Sequence, residues 1–199
     1  MDVLRFIGAV TREVRSVEKD GCPARVVVAA CSYDTTVEDL WDCITNAERI
    51  PRWLLPVSGE LRLGGRYQLQ GNARGEITAC DPPRVLAVTW EFGGQLSWVR
   101  VELTELSDGG AQLRLEHTVP VDETWDRFGP GATGIGWELA LLGLSWHLDG
   151  HAMPQEPPDR KDFVRRSSEE WGRASIAAGS SEEAARAAAE RTTQFYAGV

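Results

Sequence analysis

The sequence predicts an α+β fold, in which a curved antiparallel sheet wraps a long helix toward the C-terminus and a helical extension follows. Three observations predict it. The stretch from Gly131 to Gly150, GATGIGWELALLGLSWHLDG, is apolar around most of a helix circumference. The stretch from Glu60 to Val119 alternates apolar and polar residues between turn signals. The stretch after Pro154 carries helical patterns with mostly small apolar residues.

In the long helix, Ile135, Leu139, Leu142 and Trp146 recur at helical spacing, and so do Trp137, Leu141, Leu144 and Leu148. A helix apolar on nearly every side is a buried one. The run falls short of the ~20 apolar residues that cross a bilayer. Glycine in a helix costs ~0.5–1 kcal/mol against alanine. Gly134 and Gly136 therefore predict a late or frayed start, and Gly143 predicts a close approach by backbone or ligand.

The elements before it follow in order. Val3 to Val17 reads as a strand with Leu4, Phe6, Gly8, Val10 and Val14 on one face. Lys19-Asp20-Gly21 turns the chain into a second strand, Ala24 to Ser32. Asp34-Thr35-Thr36 caps a helix whose stripe is Leu40, Trp41 and Ile44, with acidic residues in its first turn. A second short helix runs from Asn46 to about Leu55, with Pro51 early, where its missing N–H is tolerated. The strands are Glu60 to Leu63, Arg66 to Gln70, Gly75 to Cys80, Arg84 to Phe92, Leu96 to Leu106 and Ala111 to Val119. Gly64-Gly65, Asp81-Pro82-Pro83, Gly93-Gly94 and Ser107-Asp108-Gly109-Gly110 separate them. Alternation turns Tyr67, Leu69, Leu86, Val88, Trp90, Val99, Val101, Leu103, Leu113, Leu115 and His117 to one side, as in half-buried antiparallel strands. After the long helix comes a break at Met153 to Pro158, then a serine-capped helix starting at Ser167-Ser168. An alanine-rich helix from Glu182 closes the chain. The organisation is therefore residues 1–153 as the main domain and residues 154–199 as a helical extension packed on it.

Composition narrows the function classes. The 199 residues carry a net charge of −9, with 42% apolar and 26% charged residues, as in an ordinary globular protein. An acidic chain without a basic stripe is a poor partner for nucleic acid or an anionic membrane surface. The four cysteines, Cys22, Cys31, Cys43 and Cys80, form no CxxC pair and read as buried reduced thiols. The three histidines lie far from them in sequence, so no zinc site and no other metal or cofactor is expected. The start, MDVLRFIGAVTREVRS, lacks the apolar core of a signal peptide, and the expectation is a cytoplasmic protein.

Five motifs stand in register: TTVEDLWDCITNAERIPRWLLP, ELRLGGRY, GEITACDPPRVLAVTWE, LRLEHT and GWELALLGLSWHLDG. Together, from Val26 to Gly150, they resemble the START-like (SRPBCC) superfamily, and within it bacterial proteins similar to the activator of heat-shock protein 90 ATPase. The resemblance implies a helix-grip fold with a cavity between sheet and helix. Where the family usually has a histidine soon after the Gly-Trp of the last helix, this chain has Glu138, so a role attached to that histidine does not carry over.

A cavity with a few polar groups is the default ligand site. The residues expected to line it are Trp41, Trp53, Tyr67, Leu69, Trp90, Val101, Leu115, His117, Trp137, Leu141 and Leu144. The eight tryptophans are core residues individually and an aromatic wall as a group. His117 reads as a buried, hydrogen-bonded histidine, and otherwise as a ligand anchor or a general base. Glu76 is placed on a strand where it can face solvent. Glu138 is placed at the surface near the helix start; buried, its pKa would rise. No triad spacing accompanies His117 and no phosphate-loop context surrounds the glycine pairs, so no catalytic residue is assigned. The first reading is a non-catalytic module that binds a small hydrophobic or aromatic molecule. The alternatives are a cyclase, dehydratase or hydrolase acting on an aromatic or polyketide-like compound, which needs His117 facing Glu76 or Glu138, and a co-chaperone-like interaction protein. Oligomeric state is left open, a homodimer included.

Overall fold

The computed structural model describes residues 3–152 and 160–197. The elements are α1 (Val3–Ala9), β1 (Thr11–Lys19), β2 (Cys22–Tyr33), α2 (Val37–Thr45), a 3-10 turn (Ile50–Arg52), β3 (Val57–Gly59), β4 (Arg66–Leu69), β5 (Arg74–Asp81), β6 (Val85–Phe92), β7 (Gln95–Glu105), β8 (Ala111–Pro120), α3 (Glu123–Phe128), α4 (Gly131–Leu148), α5 (Arg160–Ala177) and α6 (Glu182–Ala197). The strands form one curved sheet in the order β1-β2-β8-β7-β6-β5-β4-β3. The pairs from β3 through β7 are antiparallel. This is the α+β helix-grip fold that the sequence predicts. Among the described residues no helix is long and apolar enough to cross a membrane.

The chain divides into two compact units, with the cuts falling inside β2, β8 and α4. The first holds α1, β1, β2 to Ala29, β8 from Thr118, α3, α4 to Leu142, α5 and α6. The second holds the rest of β2 and β8, α2, β3 to β7, and α4 from Gly143.

In the first unit, Asp20 and Gly21 make the β1–β2 turn with φ of 53° and 79°, the left-handed geometry that a two-residue hairpin demands. The N-terminal strand expectation is corrected: residues 3–9 are helical and the strand begins at Thr11. Phe6, Ile7 and Val10 are buried at helical spacing, and Gly8 faces out. The side chain of Arg12 closes that helix, donating to the carbonyls of Ile7 (3.1 Å) and Val10 (2.9 Å). These are orphan acceptors of a helix end, which a cation satisfies well.

A short helix, α3, lies where the sequence showed none. Asp122 caps it by accepting from the Trp125 N–H (2.8 Å). The serine-capped start is also corrected: α5 is one helix from Arg160, and Ser167 and Ser168 sit buried in its middle. The expected break at residues 153–158 lies outside the described residues. The frayed start of α4 is not found, since the helix is regular from Gly131. Gly134 is there for space: a Cβ on it would run into the Trp171 ring.

In the second unit, Thr36 caps α2 by accepting from Asp39 N–H, as expected. The second short helix is corrected to a single 3-10 turn, Ile50–Arg52, with Pro51 early in it. The strand expected at Glu60–Leu63 is also corrected. The pairing segment is Val57–Gly59, with Gly59 opposite Tyr67. Gly59 has φ of 110°, and Gly65 N–H bonds back to Arg62 C=O (2.8 Å), so residues 60–65 form a turn. The alternation read on β4, β7 and β8 holds: Tyr67, Leu69, Val99, Val101, Leu103, Leu113 and Leu115 are all buried.

Candidate functional site

The second unit's sheet has two chemically distinct faces. Cross-strand partners lie on the same face. Leu86, Val88 and Trp90 on β6 stand opposite Val101, Val99 and Ser97 on β7, and these three partners are buried. This defines an inner face. Ala87, Thr89 and Glu91 stand opposite Arg100, Trp98 and Leu96, which defines the outer one. On the inner face Ile50, Tyr67, Leu69 and Ile77 form a buried apolar cluster. Partly buried Leu54, Leu55, Val57, Leu61, Cys80, Leu86, Val88 and Trp90 pack against it. β6 is flanked by strands on both sides, yet its inner row Leu86, Val88 and Trp90 is only half-buried, and Phe92 at the end of the row is exposed. The unit thus keeps an apolar wall that its own side chains do not fully cover.

The polar group of this face is His117, 6% exposed. Its Nε2 lies 2.8 Å from Ser97 Oγ, and its ring meets Trp90 edge-on at 5.9 Å. The Ser97 Oγ also lies 3.1 Å from Trp90 C=O, so the hydroxyl bridges the ring and the β6 backbone. Burial pushes the imidazole pKa down to about 3, and the ring is neutral at physiological pH. Tyr67 is likewise held in its protonated form: burial raises its pKa, and its hydroxyl donates to Thr89 C=O (2.8 Å).

A second polar cluster in this unit lies at its surface. Arg49 pairs with Asp39 (2.7 Å) and Asp42 (3.0 Å), and its Nε donates to His147 Nε2 (3.4 Å). The Arg49 contact lowers the carboxyl pKa of both aspartates. Burial and then the charge of Arg49 lower that of His147.

The first unit buries an ion pair. Arg12 grips Glu138 bidentately, Nε to Oε1 at 2.7 Å and Nη2 to Oε2 at 3.0 Å. Ser167 on α5 donates to the same Oε2 (2.8 Å), and Arg12 lies over the Trp171 ring. Glu138 is fully buried, which corrects the surface placement read from the sequence. Burial raises its pKa, opposed by the bonds from Arg12 and Ser167. The signal was out of reach because Arg12 lies 126 residues away.

The sequence-predicted lining residues fall as follows. Trp53, Tyr67, Leu69, Val101, Leu115, His117 and Leu144 are buried in the second unit. Trp53 donates its indole N–H to Cys43 C=O (2.9 Å). Trp41 and Trp90 are half-buried there. Trp137, half-buried, and Leu141, buried, belong to the first unit. Ile50 and Ile77 join the buried inner-face cluster and Ser97 shares that face, as its parity with Val99 and Val101 allowed one to read. Glu76 is exposed on the outer face opposite Arg66, so the acid–base pairing of Glu76 with His117 is not assembled. Of the cysteines, Cys31 and Cys43 are buried and Cys80 is partly so, while Cys22 is exposed, against the reading of buried thiols. Among the described residues no group of His, Cys, Asp and Glu is placed to hold a metal ion.

Comparison with known proteins gives one consistent answer. The family model described as Activator of Hsp90 ATPase homolog 1-like protein matches residues 34–148. CalU16 from Micromonospora echinospora is 31% identical and superposes with a TM-score of 0.71, covering 86% of this chain and 99% of its own. MLL2253 from Mesorhizobium loti is 25% identical at a TM-score of 0.56, covering 65% of this chain and 100% of its own. PFC0360w, an HSP90 activator from Plasmodium falciparum, shares the fold at 22% identity and a TM-score of 0.54, covering 63% and 96%. A comparison with curated proteins gave no match.

Proposed function

The chain belongs to the Activator of Hsp90 ATPase homolog 1-like family, and from that membership and its START-like fold we propose a non-catalytic module that binds a small hydrophobic or aromatic molecule. One observation carries the reading. The inner row Leu86, Val88 and Trp90 stays half-exposed on an interior strand, next to the buried cluster of Ile50, Tyr67, Leu69 and Ile77. Apolar surface left open costs about 25 cal/mol per Å², so a ligand that covers it is stabilised by the same amount. The lining residues we assign, all in the second unit, are Trp41, Trp53, Tyr67, Leu69, Trp90, Val101, Leu115, His117 and Leu144, with Leu86 and Val88 added. His117 acts here as a neutral polar point among apolar side chains, because its hydrogen-bonded neighbour is a serine rather than a carboxylate.

The test is a titration with N-phenyl-1-naphthylamine, whose emission rises on transfer to an apolar site. We expect saturable binding that quenches protein tryptophan emission and weakens in Leu86→Trp, which fills the wall. Absence of binding to this probe and to a panel of hydrophobic compounds would sink the reading.

We further propose that residues 1–153 form the binding body and residues 154–199 a packed extension. Phe163, Val164 and Trp171 of α5 are fully buried within the first unit, and Ser167 completes the Glu138 site. A chain ending at residue 153 is expected to fold with a markedly lower melting temperature. Cooperative unfolding of an isolated 154–199 fragment would contradict the division.

A further inference from the structure

Resting on the reading of the inner face as the ligand site, we propose that the site is selective for uncharged ligands and rejects anionic amphiphiles of the same shape. The inference comes from where the second unit puts its charges. On β4 to β8 every Arg, Asp and Glu except one stands on the outer face. Arg66 is opposite Glu76, Arg74 opposite Glu91, Arg100 opposite Ala87, and Glu102 and Asp81 both opposite Val85. On β8, Arg114 and Glu116 alternate with buried Leu113, Leu115 and His117. The exception, Glu105, is exposed at the end of β7, and it is an anion.

The outer cations are also engaged by outer carboxylates. Arg66 and Arg74 share Glu91 (2.9 and 3.1 Å), Arg100 pairs with Glu102 (2.7 Å), and Arg114 with Glu116 (3.0 Å). Arg49 is held by Asp39 and Asp42. Among the described residues of these strands, the one basic side chain on the inner face is His117, and it is neutral there. A sulfonate or carboxylate laid against Leu86, Val88 and Trp90 would therefore lose its hydration without meeting a counter-charge on these strands; Arg84, one residue before β6, is exposed at the end of the row. That costs far more than burying a neutral polar group. A neutral aromatic of the same outline loses only apolar hydration, which is favourable.

The experiment compares two probes that differ by one group. N-phenyl-1-naphthylamine is neutral; 8-anilino-1-naphthalenesulfonate is the same ring system with a sulfonate beside the amine. The sulfonate sits mid-molecule and cannot stay in water while both rings are buried. Affinities are measured by direct titration and by displacement of the neutral probe by the anionic one. We expect the anionic probe to be weaker by about thirtyfold or more. We also expect Leu86→Lys, which places a cation on the inner face, to narrow the gap; Val88→Lys serves if that variant does not fold. Equal affinities with mutual displacement in the parent protein would overturn the selectivity and leave the binding module standing. Failure of both probes to bind would overturn the module and the selectivity with it. A gap unchanged in a folded lysine variant would overturn the electrostatic cause.

Discussion

The two units bury an ionisable side chain each, and they keep it in opposite ways. In the second unit His117 stands on an apolar sheet face and gives up its charge, with a serine as its partner. In the first, Glu138 sits on an apolar helix and is gripped by a guanidinium and a hydroxyl. The environments are comparably dry, so the difference lies in the partners. A neutral imidazole needs one or two hydrogen bonds and leaves the surrounding face open to apolar contacts. A carboxylate paired with arginine needs a closed shell, and the first unit supplies it from α1, β1, α4 and α5. The open face is the one suited to a ligand, and the closed shell is suited to fixing helices.

The sharpest way to break that contrast is to remove one ion. Glu138→Ala leaves the Arg12 guanidinium buried among Trp171 and the α1 carbonyls. Breaking a buried pair from one side costs ~3–5 kcal/mol, whereas replacing both members by apolar residues is often neutral. We expect Glu138→Ala and Arg12→Ala each to lower stability by about that amount in urea denaturation. The double variant Arg12→Met with Glu138→Leu should recover most of the loss. A double variant as unstable as the singles would show that the pair is needed for more than mutual neutralisation.

The second prediction concerns pH. His117 takes up a proton in the unfolded chain near pH 6.5 and in the folded chain only near pH 3. Its contribution is fully present above pH 6.5. Below that the unfolded state binds the extra proton, and stability falls by about 1.4 kcal/mol per pH unit down toward pH 3. His117→Gln keeps a hydrogen-bonding group and cannot titrate. The difference in stability between parent and variant should therefore shrink steadily from pH 6.5 to pH 4. A difference independent of pH would mean that the folded imidazole protonates normally.

The contrast also explains why one unit is more legible in the amino-acid sequence than the other. The inner face of the second unit is local information: alternation along β4, β7 and β8 is enough to place Tyr67, Leu69, Val101, Leu115 and His117 on one side. Gly131–Leu148 is legible for the same reason, because a helix apolar on every side has few other readings. The first unit is less legible because its logic is long-range. Glu138 reads as a surface residue unless Arg12 and Ser167 are known to meet it. The Ser167-Ser168 pair reads as a cap because serines usually leave helix interiors, and here a buried carboxylate holds one of them there. Residues 3–9 mislead for a different reason: seven residues are too few to separate period two from period 3.6 when Val, Leu, Phe and Ile all appear.

The smallest expected effects make the most direct comparison, because each unit has one buried serine bonded to its ionisable group. Ser97 is hydrogen-bonded to the neutral His117 ring, and Ser167 donates to the Glu138 carboxylate, both at 2.8 Å. Both residues are buried, so the geometry is matched and the partner's charge differs. A hydrogen bond between neutral groups contributes about 0.5–1.5 kcal/mol, and one to a charged group about 1.5–3 kcal/mol. Ser167→Ala should accordingly cost roughly twice as much as Ser97→Ala. The two substitutions should also differ in their pH response. Ser97→Ala removes the hydrogen-bond partner of Nε2 on a ring that stays neutral, and its effect should be flat across neutral pH. Denaturation of the two variants at pH 7 and at 20 mM and 500 mM salt checks the ranking; salt should leave both unchanged, since neither group faces solvent. Equal costs would mean that Arg12 already compensates the carboxylate so fully that Ser167 binds it as it would a neutral oxygen.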